Sequence, residues 1–307
     1  AALCPGARGG TRARGGGALA PRGDPPLFLG FLRGVPFFWP TVHLLAKTLF
    51  VAAILLALFY LLDRTIFARD DEAPPRDPTP DSRLHLRGSV NLVLLALLVG
   101  AILLSGIWRP GLAVEIGSVK LEAQNLMRDG MMVALGLASL ALTPKANRIA
   151  NEFTWGPIKE VATIFAAIFV CLVPVVAALG AGREGIFAPL LSLVTRPDGT
   201  PIEAAYFWMT GLLSSVLDNA PTYVVFFELA GGDPQRLAGP LAGTLAAISA
   251  GAVFMGANTY IGNAPNFMVY AIARQSGVRM PSFFGYMAWS GAILIPTFLL
   301  VTLIFFL

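Results

Sequence analysis

The last twenty-five residues, Phe283 to Leu307, carry no charged side chain. A run of that length crosses the ~30 Å hydrocarbon core of a bilayer as an α-helix. Three more runs read the same way: Leu44 to Leu62, where Lys47 is the one charge, Val90 to Ile107, and Val161 to Gly182, interrupted by Pro174. Gly130 to Leu142 reaches spanning length if Leu126 to Asp129 form its interfacial end. Composition agrees, since 56% of the residues are hydrophobic and 13% charged, where soluble domains carry roughly a quarter. That excess of apolar surface excludes a disordered chain, a nucleic-acid-binding domain and almost any soluble enzyme. The net charge of +4 therefore belongs to basic loops on one side of a membrane. Cys4 and Cys171 give neither a disulfide framework nor metal-ligand spacing, and Cys171 reads as a small apolar residue inside a span.

Two further apolar stretches are broken in the middle. Ala204 to Ala230 is cut by Asp218-Asn219-Ala220-Pro221-Thr222, and Leu237 to Ala273 is cut by the segment from Asn258 to Asn266, which includes Thr259, Gly262, Asn263 and Pro265. In hydrocarbon every backbone N–H and C=O needs a partner, so a non-helical break at that depth survives only where it lines a protein cavity. Such breaks mark binding sites. The segment 63–89, rich in Pro and with charges of both signs, reads as a cytoplasmic linker. With Ala204 to Ala230 as a hairpin returning to its own side, the inner loops hold ten basic residues and the outer loops six. A full crossing gives nine against seven, so the positive-inside rule favours the hairpin.

The chain also resembles itself. Gly23-Asp24-Pro25-Pro26-Leu27-Phe28, followed by Gly34-Val35-Pro36-Phe37-Phe38, matches in order Gly262-Asn263-Ala264-Pro265-Asn266-Phe267, followed by Gly277-Val278 and Pro281-Ser282-Phe283-Phe284. Transporters commonly carry two related halves whose interruptions meet at one site. The expected organisation is an atypical segment 1–17, a remnant of the first repeat at 18–62, the linker at 63–89 and a complete second repeat at 90–307. The first repeat is partial, so the chain reads as truncated at its start. Residues 1–17 then represent a mis-called start or shifted frame, with a genuine arginine-rich tail as the alternative.

At the Asp218-Asn219 turn and the Asn258 to Asn266 break, the sequence resembles the ion transporter superfamily of secondary carriers. That group includes NhaD-type sodium/proton antiporters, citrate–metal symporters, arsenite carriers and dicarboxylate carriers. The most specific parts are Leu217-Asp218-Asn219-Ala220-Pro221-Thr222 and Gly23-Asp24-Pro25-Pro26. The resemblance implies an all-α polytopic membrane protein with an inverted repeat, in which each half gives one re-entrant hairpin and one unwound helix to a midplane site. Such carriers are often dimers, so a homodimer is expected, in the bacterial inner membrane. Gly15-Gly16-Gly17 and Arg22 depart from the family's usual opening.

The residues at the breaks suit ion chemistry. An ionised carboxylate at the depth of Asp218 costs a few kcal/mol unless paired or hydrated. Desolvation favours its protonated form and a bound cation its ionised form, so protons and cations compete for one group. Asn219, Thr222, Asn258, Thr259, Asn263 and Asn266 offer neutral oxygens for a hard cation such as sodium, with Asp218, Asn219 and Asn258 as the expected ligands. Gly256 and Gly262 let the backbone unwind, and Pro221 and Pro265 leave the carbonyl one turn earlier without its usual donor. Asp218 and Asn219 also suit a simple helix cap. Asp24, the counterpart of Asn263, reads equally as a second proton or cation carrier and as a turn residue, with Gly23 and Pro25 beside it. Glu203 and Glu228 read as interfacial, His43 and His85 as loop or interface residues, and Trp39, Trp108, Trp155 and Trp289 as interface belts.

Carboxylates at breaks of both halves favour a sodium/proton antiporter. A carrier of citrate or another carboxylate, coupled to a cation or proton, is the alternative. An intramembrane aspartyl enzyme is more remote, because the chain has no His-Glu-x-x-His, Gly-x-Ser-x-Gly or P-loop motif. Sodium and protons are the expected coupling ions, with no organic cofactor.

Overall fold

The computed structural model describes residues 24–67, 88–108, 110–116, 119–151, 153–180, 184–263, 266, 269–270, 273–274 and 280–307. The readings made for residues 1–23, for most of the linker, for His85 and for Pro265 and Gly277-Val278 lie outside them. By its internal packing the chain divides into two compact units, residues 1–73 with 166–307, and residues 74–165.

The first unit opens with α1 (Pro25–Leu32), whose two prolines stand where a helix needs no N–H, and α2 (Trp39–Phe67). Among the described residues, two helices are long and apolar enough to cross a membrane, Trp39–Thr65 within α2 and the C-terminal Phe283–Phe305. Leu56 and Leu303 are 61% and 62% exposed on them, a surface that only lipid or another apolar partner accommodates.

The second unit holds α3 (Val90–Ile107), α4 (Ala123–Leu142), the short α5 (Lys145–Ala150) and the start of α6 (Gly156–Gly180). The run Leu44 to Leu62 lies on α2, Val90 to Ile107 on α3, Gly130 to Leu142 on α4, the described part of Val161 to Gly182 on α6 and Phe283 to Phe305 on the C-terminal helix. The helix around Gly130 to Leu142 starts earlier, at Ala123, so Leu126 to Asp129 belong to it, with Gln124 and Arg128 buried. Between α3 and α4, β1 (Ala113–Ile116) pairs antiparallel with β2 (Val119–Glu122), Ala113 opposite Glu122 and Ile116 opposite Val119. The spans are helical as expected, and this hairpin follows from a short alternating segment around Gly117-Ser118 that is too brief for a span. Asn91 joins α3 to α4 by accepting from Ser139 Oγ at 2.8 Å and donating to Thr143 Oγ1 at 2.9 Å.

The first unit resumes within α6, at residue 166, and continues with α7 (Ala188–Val194), α8 (Glu203–Val216), α9 (Asn219–Leu229), α10 (Pro234–Ala238), α11 (Ala242–Met255) and α12 (Phe283–Phe305). With 14 and 11 residues, α8 and α9 are ~21 and ~16 Å long, so neither crosses a bilayer alone. They form a hairpin. Tyr206 near the start of α8 packs its ring on Phe226 and reaches the Leu229 carbonyl at the end of α9.

From Thr244 to Met255 every residue of α11 is buried, as befits a helix with no polar face. Hydrophobic burial does not drive helices together in lipid; close packing and interhelical hydrogen bonds do. Accordingly a Cβ at Gly251 would stand 3.2 Å from the Gly211 backbone N, so α8 and α11 approach backbone to backbone.

Two smaller expectations are corrected. Trp39 is buried and donates its indole N–H to the Ala238 carbonyl at 2.9 Å, so it is a packing residue and not part of a belt. His43 lies within α2, stacked on Trp39 with ring centroids 4.3 Å apart. Glu228, read as interfacial, stands at the end of α9 and pairs with Arg33.

Candidate functional site

The hairpin turns on two residues. Leu217 and Asp218 are extended, while Asn219, Ala220, Pro221 and Thr222 form the first turn of α9. The break is thus shorter than the polar cluster in the sequence. Pro221 is the third residue of its helix, where the N–H would have no intrahelical acceptor, so it starts α9 and frees no carbonyl. Asp218 occupies the N-cap position in an extended conformation, yet its side chain makes no hydrogen bond of capping geometry. Thr222 Oγ1 donates back to the Asp218 carbonyl at 3.0 Å, which commits the hydroxyl proton to the backbone.

On one side of the tip stands α1. Asn219 Nδ2 donates to Asp24 Oδ1 at 2.7 Å, and both residues are buried. Asp24 is itself the N-cap residue of α1, also without a side-chain capping bond. Two helix starts, each headed by an aspartate, therefore meet at this contact. Their partial positive ends stabilise negative charge. Pro25 is the first residue of α1 and fixes its entry, and Gly23 lies outside the described residues.

On the other side the chain leaves α11 at Met255 and runs non-helically through residues 256–263. Two serines on the last turn of α8 hold this segment. Ser214 Oγ donates to the Ala252 carbonyl at 2.7 Å. Ser215 Oγ lies 2.8 Å from the Gly211 carbonyl and 2.9 Å from that of Met255, and accepts from Asn258 Nδ2 at 2.9 Å. Thr259 Oγ1 donates to the Ser215 carbonyl at 2.6 Å and accepts from Gly262 N at 2.9 Å. Asn266 Nδ2 donates to the carbonyls of Gly256, at 3.0 Å, and Thr259, at 3.1 Å. Asn263 is buried, and its backbone carbonyl accepts from Asn266 N at 3.0 Å.

Gly262 is the keystone of this side. A Cβ there would stand 2.8 Å from the Ser214 carbonyl oxygen, 2.9 Å from that of Gly256 and 3.2 Å from that of Ser215. Three carbonyls thus converge on a space that any other residue would fill. Ser290 on α12 closes the back by donating to the Asn258 carbonyl at 2.6 Å.

Two side-chain oxygens remain open. Asn219 Oδ1 and Asn258 Oδ1 are buried and accept no hydrogen bond from a described residue, a condition that costs about 1–3 kcal/mol each unless a ligand or ion fills it. Among the described residues no three His, Cys, Asp or Glu side chains come together. A cation here would be held by amide and carbonyl oxygens with one or two aspartates, the donor set of a hard ion.

The structure therefore brings together Asp24 with Asn219, and Asn258, Thr259, Gly262 and Asn266 with one another. Asp218 sits half-buried at the tip between the two groups. Ser214, Ser215 and Ser290 escape the sequence reading, because a serine inside an apolar helix is commonly spent on its own backbone. The signal available was adjacency, since Ser214-Ser215 stands one helical turn before the Asp-Asn tip.

No curated protein and no solved structure matches the chain. A family described as "Putative citrate transport" matches residues 13–306, nearly the full length. A transport family of this kind points to a carrier rather than an enzyme, in keeping with apolar helices of spanning length and a buried polar site at two helix breaks. The chain belongs to this citrate transport family and is an integral membrane protein of the secondary-carrier type.

Proposed function

We propose that the protein carries citrate together with a cation through the hairpin tip, in an inverted-repeat fold where Asp24 and Asn263 are counterparts. The observation that carries this reading is the 2.7 Å contact of Asn219 with Asp24, which joins a break from near the start of the chain to the hairpin tip. Paired helix starts attract the carboxylates of an anionic substrate. The two aspartates at those starts repel it, so an anion enters only when a cation or protons offset their charge. Coupling follows from that requirement, because neither partner binds well alone. Asn219 Oδ1 and Asn258 Oδ1 are the open oxygens for the cation, with Asp218 alongside.

The same two aspartates favour a second reading, sodium/proton exchange, in which Asp24 and Asp218 alternate between protons and cation. Proteoliposomes separate the two. With an imposed sodium gradient and a pH dye inside, the proposal expects sodium-dependent citrate uptake. Sodium-driven proton movement without citrate uptake would replace it with the exchange reading, and neither response would reject both. In this proposal residues 18–62 and 90–307 belong to the two repeats, the linker 63–89 faces the cytoplasm and the protein forms a homodimer in a bacterial inner membrane.

A further inference from the structure

The two helices that start at the tip also meet at their far ends. At the starts Asn219 holds Asp24, and at the ends the Arg33 guanidinium pairs with the Glu228 carboxylate. Arg33 stands nine positions after Asp24, and Glu228 nine positions after Asn219. The helices α1 and α9 therefore run parallel in matched register, pinned at two points ~13 Å apart at the α-helical rise. Between the pins the Tyr223 hydroxyl rests against Gly30, so closely that any side chain at Gly30 would collide with it.

An eight-residue helix such as α1 has little stability of its own, and its N-cap side chain makes no capping bond. Its position is set by what it touches. A slip of one residue moves Asp24 by ~1.5 Å along the axis and by ~100° around it, enough to break the bond to Asn219. The outer ion pair is suited to prevent this slip. Its side chains are only 33% and 20% exposed, and the Arg33 guanidinium lies 5.6 Å from the centre of the Phe227 ring.

We infer that Arg33 and Glu228 are positioning residues. Their ion pair sets the register of α1 against α9 and so holds the Asp24 carboxylate at the tip. The inference rests on the reading of the tip as the transport site, and its test includes a measurement that needs no transport.

For the full chain in detergent, the thermal midpoint is measured for Glu228→Gln, Asn219→Ala and both together. Each single change is expected to lower the midpoint by about 3 °C. The double variant should fall no further than the worse single, because the inner bond is already lost once the outer pin is gone. Sites this far apart ordinarily add, so additive losses, or no loss in Glu228→Gln, would overturn the inference. Reversing the pair with Arg33→Glu and Glu228→Arg together should return the midpoint to within 1 °C of wild type, on the scale of a small net change.

In proteoliposomes Glu228→Gln should raise the KM for sodium or citrate about tenfold with Vmax within about twofold, and the reversed pair should restore it. An unchanged KM in an active variant would overturn the claim. Non-additive midpoints in a protein whose wild type moves neither citrate nor sodium would keep the positioning role and reject the carrier reading.

Discussion

The two flanks of the hairpin tip are built on opposite plans. On the α11 flank, Ser214, Ser215, Thr259 and Asn266 spend their polar atoms chiefly on backbone carbonyls, and Gly262 leaves room for three of those carbonyls to converge. On the α1 flank, the contact at the tip is a bond between two side chains, Asn219 and Asp24, and both aspartates of the tip region stand at helix starts without a side-chain capping bond. The first flank is built of neutral groups and fixes an unwound backbone; the second carries the two carboxylates of the tip. Changes on the first should therefore appear chiefly as lost fold, and changes to the carboxylates of the second chiefly as lost coupling.

The largest effect is expected from Gly262→Ala, whose methyl group would press on backbone carbonyls that cannot rotate away. It should cost about 3 kcal/mol, read as a lower thermal midpoint in detergent and lost transport. A fully stable variant would show that the unwound segment has slack and would erase the contrast between flanks.

Asp24→Asn comes next and tests the other side. The amide can still accept from Asn219, so the midpoint should hold, while cation-coupled uptake should fall about 100-fold, equivalent to about 2.7 kcal/mol in the barrier. A large loss of stability with coupling intact in the surviving protein would reverse the assignment of roles.

Ser215→Ala should cost about 2 kcal/mol, because it removes a bridge between Met255 and Asn258 and leaves the Asn258 amide without its acceptor. Thr222→Val, which removes only a local bond to the Asp218 carbonyl, should cost less than about 1 kcal/mol and leave transport within about twofold. A strong transport defect there would mean that the Thr222 hydroxyl turns toward the ion, as the sequence suggests.

What the sequence reveals follows the range of the interactions involved. The long helices are legible because an uncharged run of spanning length has few other solutions, and α2, α3, α6 and α12 lie on such runs. The hairpin is legible because Asp-Asn-x-Pro interrupts an apolar segment at its centre. The edges are less so. Asn258 draws the eye, but the helix ends at Met255 because Gly256 and the serines of α8 release and catch the chain there. Asp24 and Asn219 are each visible as candidates, yet their pairing spans 195 residues and depends on packing that no local pattern encodes. The same holds for Arg33 and Glu228, each of which reads as an ordinary residue at a helix end.

The central claim is that the tip, with its two aspartates, binds the coupling cation and the anion together. The direct measurement is the thermal midpoint of the purified protein with sodium alone, citrate alone and both, in wild type and in the double variant Asp24→Asn with Asp218→Asn. A ligand bound only by the folded state raises stability by about 2.7 kcal/mol at 100 times its Kd. The account predicts a rise in wild type that is larger with both ligands than the separate rises combined, and no sodium-dependent rise in the double variant. An equal sodium-dependent rise in both proteins would place the cation elsewhere and contradict it.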